Sequence, residues 1–303
     1  MVCSGAVAEL ICAPLLSMPM LERLKAFRWR WPALALLSVA ALAGCVSLDT
    51  QQRKWIFQAA ALPSNGDGAH IDGFDDVWIP LSTGDSSGPK LHALWLAGPT
   101  RDAPVLLYLH GARRNVDSST FRIRHMRELG FAVLAIDYRG FGRSTAQLPS
   151  EGTVAEDARA AWKWIEARHP TPDRYIFGHS LGGAIAVRLA SEVSDAKGLI
   201  VEGTFTSIPA VFETMKWGWL PITPMITQRF DSADRIEHVK VPVLVVHGDA
   251  DSLIPPALGR ALYERAVAPK RFVLVEGGTH YSTNGVGQQQ YRAALHELFG
   301  VGS

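Results

Sequence analysis

The sequence predicts an α/β protein built on a mostly parallel, doubly wound sheet, and three observations support this prediction. Apolar runs of strand length alternate with helix-length segments from about residue 76 onward. Runs such as Val105–Leu109 and Val243–Val246 are almost unbroken in Val and Leu, as is typical of strands buried on both faces. One run leads straight through glycines into an Ala-rich segment, a strand–turn–helix pattern. Ligands of such sheets bind beyond the carboxyl ends of the strands, so residues that follow strands are the functional candidates.

Eight segments are predicted to be strands because they are short, apolar and bounded by polar or glycine-rich stretches. In chain order they are Val77–Pro80, His92–Leu96, Val105–Leu109, Ala132–Asp137, Tyr175–Phe177, Leu199–Val201, Val243–Val246 and Phe272–Val275. Five longer segments between or after them are predicted helices: Phe121–Leu129, Val154–Arg168, Leu181–Glu192, Pro256–Val267 and Gln288–Phe299. Acidic residues near the start of the second helix suit its dipole.

Composition excludes some classes of function. The chain has 303 residues, 48% hydrophobic and 19% charged, which suits a packed core and argues against disorder. Its net charge is +1, without a Lys/Arg-rich run, so nucleic acid is not an expected partner. Cys3, Cys12 and Cys45 all precede residue 46, so neither a disulfide nor a Cys/His zinc site is expected in the main body.

The first 44 residues are predicted to be a targeting segment. Four basic residues lie between positions 21 and 30, and an apolar stretch with small residues near its end follows at 31–43. As a helix, those 13 residues would rise roughly 20 Å, less than the roughly 30 Å of a hydrocarbon core. The stretch ends in Leu42-Ala43-Gly44-Cys45, which resembles the lipobox of bacterial lipoproteins.

That resemblance implies cleavage before Cys45 and a lipid anchor on Cys45. Residues 45–75 would then be a lipidated tether and N-terminal extension that holds the domain of 76–303 on a membrane of the cell envelope, facing the periplasm. An uncleaved signal anchor and an ordinary signal with a chance cysteine remain the alternatives.

Ser180 is the candidate nucleophile. The predicted strand at 175–177 runs into Gly178-His179-Ser180-Leu181-Gly182, which matches G-x-S-x-G, and a predicted helix follows. In that motif a tight turn lifts the serine hydroxyl above the sheet, and the helix N-terminus faces developing negative charge. An ordinary glycine turn is the alternative.

A serine nucleophile needs a base, and the base needs an acid to orient it. His280 follows the last predicted strand and is the last of the three in chain order, whereas His110 precedes Ser180. The strand at 243–246 is followed by Asp249 and Asp251, and either carboxylate can be the acid by position alone.

From about residue 51 the chain is similar to bacterial α/β-hydrolases of the serine-aminopeptidase/monoglyceride-lipase-like group. The resemblance is carried by LYLHGARRN (107–115), AIDYRGFGRS (135–144), IFGHSLGGAIA (176–186), EGTFTS (202–207), VHGDADSLIPP (246–256) and EGGTHY (276–281). It implies an α/β-hydrolase fold with a small helical lid at about 204–238. It also assigns the acid to Asp251 rather than Asp249. In such a fold one oxyanion donor comes from the loop after the third strand and the other from the residue after the nucleophile, which assigns the oxyanion hole to the backbone amides of Ala112 and Leu181. A plain turn at His110-Gly111 is the alternative.

The resemblance leaves the substrate open, since the group includes esterases, lipases, thioesterases and peptidases. Apolar residues of the predicted lid, Trp217, Trp219, Leu220, Met225 and Phe230, are candidates to line an acyl pocket, or they pack the lid onto the domain. The sequence therefore predicts hydrolysis of an ester or thioester of a small-molecule or lipid acyl group, without a metal or cofactor. A peptidase and a non-catalytic binding protein are the alternatives. Arg113 and Arg114 depart from many relatives and either hold an anionic head group or are solvated.

Overall fold

The computed structural model describes residues 44, 46–59, 71–82, 87–170 and 173–301. The chain divides into two compact units, residues 1–51 and 52–303. In the first unit, the described residues 44 and 46–51 are helical. Cys45 and most of the predicted targeting segment lie outside the described residues. The second unit holds the sheet and includes the helical residues 52–57.

The described residues of the second unit form one eight-stranded sheet in the order β1-β2-β4-β3-β5-β6-β7-β8. The strands are β1 (Asp75–Pro80), β2 (Lys90–Leu96), β3 (Val105–Leu109), β4 (Ala132–Ile136), β5 (Arg174–His179), β6 (Gly198–Glu202), β7 (Val243–Gly248) and β8 (Lys270–Val275). β2 is antiparallel to β1 and to β4, and every other pair is parallel. The prediction of a mostly parallel sheet is confirmed.

Chain order reverses at β3, since β4 lies on one side of it and β5 on the other. Such a reversal opens a crevice at the carboxyl ends of the two strands, which is where α/β sheets bind ligands. Residues 110–112, after β3, and Ser180, after β5, therefore meet at this crevice.

Helices cover both faces of the sheet. They are α1 (Thr120–Glu128), α2 (Glu151–Arg168), α3 (Leu181–Glu192), α4 (Ile208–Glu213), α5 (Ser232–Ile236), α6 (Pro256–Arg265), α7 (Thr283–Val286) and α8 (Gln288–Phe299). Leu107 and Leu109 of β3 share one core with α2 and α3, whereas Leu106 and Tyr108 share the other with α1 and α8. This alternation follows from the two-residue period of a strand, and it explains why both faces of β3 are apolar.

All predicted strands and helices exist, with boundary differences that have local causes. α2 begins at Glu151, not Val154, because Ser150 and Thr153 form a reciprocal capping box: the Ser150 hydroxyl accepts from the Thr153 amide, and the Thr153 hydroxyl accepts from the Ser150 amide. α6 ends at Arg265, two residues before the predicted Val267. The short helices α4, α5 and α7 have fewer than two full turns and were not predicted individually, although α4 and α5 lie within the region 204–238 that the resemblance implies to be a helical lid.

Candidate active site

Ser180 lies in a strained turn between β5 and α3. Its backbone angles are φ 56° and ψ −124°, a region that non-glycine residues rarely occupy. The turn is tight enough that a side chain at Gly178 would collide with the carbonyl of Gly182, and one at Gly182 would collide with the carbonyl of Leu109. The glycines of G-x-S-x-G are thus required by backbone packing, and they leave the Ser180 side chain at the end of the sheet.

His280 and Asp251 form a buried hydrogen-bonded pair. His280 lies in the loop between β8 and α7, Asp251 lies in the loop after β7, and each is 5% exposed. Their Nδ1 and Oδ2 atoms are 2.7 Å apart. Because the carboxylate can only accept, Nδ1 carries the proton, and the Nε2 lone pair of His280 is left available as a base.

The Asp251 carboxylate is held from three sides. Oδ1 accepts hydrogen bonds from the amides of Leu253 and Ile254 at 3.0 and 2.8 Å, and His247 Nε2 lies 3.4 Å from Oδ2. Burial by itself would raise the pKa of Asp251, but the hydrogen bonds from His247 and His280 outweigh it and hold the pKa well below its ordinary value. Asp251 is therefore a fixed anion at neutral pH.

Asp249 has a different position. Its Oδ1 accepts a hydrogen bond from the amide of Gly277 at 2.8 Å, so the side chain caps the turn after β8. The two aspartates left open by strand position are thus distinguished by their contacts, and only Asp251 is bonded to His280.

Ser180 and the His280–Asp251 pair meet at the end of β6. The amide of Ser180 donates to the carbonyl of Glu202 at 2.9 Å, and the next residue, Gly203, has φ +57°. An added Cβ at Gly203 would lie 3.4 Å from both Asp251 Oδ2 and His280 Nδ1, so Gly203 packs directly beneath the pair. The ring of His179 lies 4.8 Å from that of His280. Within the described residues, no hydrogen bond joins the Ser180 hydroxyl to His280.

The loop after β3 lies against the same serine. A Cβ on Gly111 would approach the Cβ of Ser180 to 3.0 Å. No backbone hydrogen bond among the described residues is donated by the amide of Ala112 or of Leu181. Leu181 is the first residue of α3, and first-turn amides have no partner inside a helix. The two amides assigned to an oxyanion hole are thus available on either side of Ser180.

A buried polar cluster beneath the site was not identified from the sequence. Arg122 Nε donates to Glu202 Oε1 at 2.9 Å, the Tyr291 hydroxyl also bonds Glu202, and Arg122 Nη2 donates to the carbonyl of Tyr281 at 3.4 Å. His179 Nε2 donates to the carbonyl of His280 at 2.8 Å. These residues are far apart in the chain, and the only sequence signal was that Glu202 and His179 each follow a buried strand.

The residues predicted to line an acyl pocket are mostly exposed. Trp217, Trp219 and Met225 are 58, 73 and 55% exposed, and Leu220 is half-buried. Phe230 is buried instead, with its ring 5.8 Å from that of Phe57.

The segment that carries these residues is attached to the N-terminal helix of the second unit. Gln52 donates from Nε2 to the carbonyl of Met225 at 2.7 Å and accepts from the amide of Thr227 at 2.8 Å. In the part of the chain that the structure describes, no group of three His, Cys, Asp or Glu side chains is arranged to hold a metal ion. Likewise, none of the described helices has the length and apolar character needed to cross a bilayer.

Comparison with known proteins agrees with this geometry. The profile of a family described as "Serine aminopeptidase, S33" matches residues 101–233 and 226–285. An uncharacterized protein of Mycobacterium tuberculosis is 31% identical over 251 residues, which cover 82% of this chain and 87% of that protein. The lysophosphatidylserine lipase ABHD12 of Danio rerio is 32% identical over 185 residues, 55% of this chain and 48% of the lipase, so the match spans about half of that enzyme.

Solved structures share the fold at low sequence identity. The ferulic acid complex of Est1E from Butyrivibrio proteoclasticus has a TM-score of 0.62 at 21% identity, covering 74% of this chain and 99% of that one. The Pyrococcus furiosus esterase Pf2001 has a TM-score of 0.62 at 18% identity, covering 79% and 96%. The strained serine turn, the buried His–Asp pair and the order of the strands thus accompany a profile match over more than half of the chain, and the protein belongs to the serine aminopeptidase S33 family and has an α/β-hydrolase fold.

Proposed function

We propose that this protein is a serine hydrolase that cleaves a carboxylic ester or thioester with an apolar acyl group. The observation that carries the proposal is the 2.7 Å bond between His280 Nδ1 and Asp251 Oδ2, made beside a serine held at φ 56°. Both features are costly, since one buries an anion and the other strains the backbone, and a binding protein would need neither of them.

In the proposed cycle, His280 Nε2 removes the proton of Ser180 as its oxygen attacks the carbonyl. The amides of Ala112 and Leu181 stabilise the oxyanion, and Asp251 stabilises the imidazolium that forms. His280 then protonates the leaving group, and an acyl-enzyme remains. Water, deprotonated by the same histidine, releases the acid and restores Ser180. The bond between nucleophile and base forms as substrate binds, since such bonds are commonly long in a free enzyme.

The exposed apolar segment at 215–225 supports an ester of an apolar acid over a peptide. Trp217, Trp219 and Met225 offer exposed apolar surface on the segment that follows β6, and the relative from Danio rerio is named a lipase. The family description favours a peptidase as the second candidate. Turnover of para-nitrophenyl butyrate and long-chain esters should exceed that of aminoacyl anilides, and the reverse order would favour the peptidase.

The chemistry is tested by labelling with a fluorophosphonate, which requires an activated serine. Wild type should be labelled and Ser180→Ala should not. The control Ser191→Ala should be labelled as wild type, because among the described residues the Ser191 hydroxyl bonds only the Arg188 carbonyl. Ser180→Ala and His280→Ala should each lower kcat by about 10⁴ to 10⁶, and the double variant little further. An unlabelled wild type, or additive losses, would contradict the proposal.

The proposal includes attachment to a membrane through lipid on Cys45. The second unit begins at Gln52, seven residues after Cys45, so an anchor there would hold the site close to the bilayer surface. Globomycin-sensitive processing and a lipid label that is lost in Cys45→Ala would support the anchor. An unlabelled full-length protein would refute it and would leave the proposed chemistry untouched.

A further inference from the structure

Two arginines without carboxylate partners lie at the edge of the candidate active site. Arg113 and Arg114 directly follow Ala112, and both are exposed. Neither forms an ion pair with a carboxylate of the described residues, whereas the buried Arg122 beneath the site is paired with Glu202. The buried His280 likewise has a carboxylate partner, Asp251. The positive charge of Arg113 and Arg114 is therefore not neutralised by these neighbours.

Arg114 is directed towards the catalytic histidine's loop. Its guanidinium carbon lies 4.5 Å from the centroid of the Tyr281 ring, and that ring lies 5.2 Å from the ring of His280. The guanidinium is therefore at most about 10 Å from the imidazole, since the two separations can at most add. Stacking on an aromatic ring orients a guanidinium and leaves its edge N–H groups free to bind an anion in bidentate fashion.

The loop that carries Arg114 is fixed on both sides. Before it, the amide of Arg113 donates to the carbonyl of Phe57 at 2.9 Å, and Arg113 has φ 67°. After it, Asn115 Oδ1 accepts from the amide of Ser118 at 3.0 Å, and the amide of Val116 donates to the buried carboxylate of Asp137 at 2.9 Å. Less conformational entropy is therefore lost when a ligand binds Arg114 than for an arginine on a free loop.

We infer that Arg114, stacked on Tyr281 and assisted by Arg113, forms a subsite for an anionic group of the substrate, either a phosphate or a carboxylate, within about 10 Å of the His280 imidazole. The inference rests on the proposed function and adds a substrate class to it: esters that carry an anion near the reacting carbonyl. A planar guanidinium that is stacked on a ring, and that has no carboxylate partner among the residues the structure describes, suits such an oxyanion.

The test compares matched esters that differ by one anion. In the carboxylate arm, para-nitrophenyl butyrate is compared with the para-nitrophenyl half-ester of glutarate. In the phosphate arm, monooleoylglycerol is compared with monooleoylglycerol phosphate. The measured quantity is the ratio of kcat/KM for the anionic ester to that for the neutral one. We expect this ratio to exceed one in at least one arm, which also identifies the anion, and to fall as salt is raised from roughly 50 to 500 mM.

Arg114→Gln should lower the ratio about fivefold, the upper range for an exposed charge pair, mainly through a higher KM for the anionic ester. Arg114→Lys should restore part of it, because charge is kept and the planar stack is lost. Arg101→Gln is the control, because this exposed arginine lies before the amino-terminal end of β3, whereas Arg114 follows its carboxyl-terminal end. A ratio of one or less in both arms, or an equal loss in the Arg101 variant, would overturn the inference. Fluorophosphonate labelling in the same samples shows separately whether the proposed chemistry itself holds.

Discussion

Replacing Asp251 by Asn tests the assignment of the acid through hydrogen-bond polarity. Oδ1 of Asp251 accepts from the amides of Leu253 and Ile254, so in the variant the amide oxygen must remain at that position. The NH₂ group must then face His280 Nδ1, where the carboxylate oxygen stood at 2.7 Å. Because NH₂ can only donate, Nδ1 of His280 must become the acceptor and its proton must move to Nε2. The base is then in the wrong tautomer to accept a proton from Ser180.

The expected effect on kcat is large and the effect on stability moderate. A wrong tautomer in a Ser-His-Asp site lowers kcat about 10⁴-fold. The same NH₂ group also opposes His247, whose Nε2–H donates to the carbonyl of Ile254 at 2.9 Å and lies 3.4 Å from Oδ2 in the native protein. One lost hydrogen bond to a charge, together with this repulsion, should lower the free energy of unfolding by about 2 kcal/mol.

Asp249→Asn is the matched control. Within the described part of the chain, the Asp249 side chain accepts a single hydrogen bond, from the amide of Gly277, and an Asn oxygen can accept it equally well. We expect kcat within about threefold of wild type for this variant, measured with para-nitrophenyl butyrate and checked by the rate of fluorophosphonate labelling. If Asp251→Asn kept more than a tenth of the wild-type kcat, or if both variants lost equal activity, the tautomer argument would be refuted.

Three further predictions each concern one residue of the site or of the segment at 215–225. Gly111→Ala places a Cβ 3.0 Å from that of Ser180 and should lower kcat about tenfold. In the control Gly152→Ala, the added Cβ meets nothing closer than 3.8 Å, and kcat should be unchanged. Equal kcat values for the two variants in a steady-state assay would contradict the prediction. Because the pKa of Asp251 is lowered in the folded protein, its anion stabilises the fold above about pH 4, and this contribution is lost as the pH falls further. The urea midpoints of wild type and Asp251→Asn should therefore converge as the pH is lowered from about 5 to 2.5. Midpoints that stay equally far apart over this range would contradict the prediction. The Trp219 side chain is 73% exposed, so Trp219→Ala should change the free energy of unfolding by less than about 0.5 kcal/mol. The same variant should lower the turnover of long-chain esters relative to that of butyrate esters. An equal change for both esters would exclude Trp219 from acyl binding.

Much of the fold could be predicted from the sequence because its strands are buried on both faces. Val105–Leu109 has the same bounds in the sequence prediction and in the structure, as do the helices Leu181–Glu192 and Gln288–Phe299. Each combines a consistent apolar pattern with a clear boundary. The start of α2 was missed because its capping box uses Thr153 in place of the usual Glu or Gln. α4, α5 and α7 were missed because one turn of helix carries no periodic signal.

The site could be predicted only as far as single residues have recognisable positions. Ser180 and His280 follow strands, and the G-x-S-x-G turn demands its glycines, so both could be proposed as site residues from the sequence. The choice between Asp249 and Asp251 required family resemblance, because strand position gives the same answer for both. The contacts that distinguish them, with Gly277 and with His280, join loops 28 and 29 residues apart. The sequence pattern contains no signal for a pairing of that kind.

The buried ion pair beneath the site is best explained by the position of His280. Burying two opposite charges costs desolvation that their attraction commonly offsets only in part, so a gain in stability is a weak explanation for the pair of Arg122 and Glu202. However, Arg122 also donates to the carbonyl of Tyr281, and His179 donates to the carbonyl of His280. Burial lowers the pKa of His179 well below its ordinary value, so this ring is a neutral donor whose bond persists across neutral pH. Two consecutive carbonyls of the histidine loop are thus fixed by donors from α1 and from the residue before Ser180. The same turn that carries Ser180, the proposed nucleophile, therefore also positions His280, the proposed base.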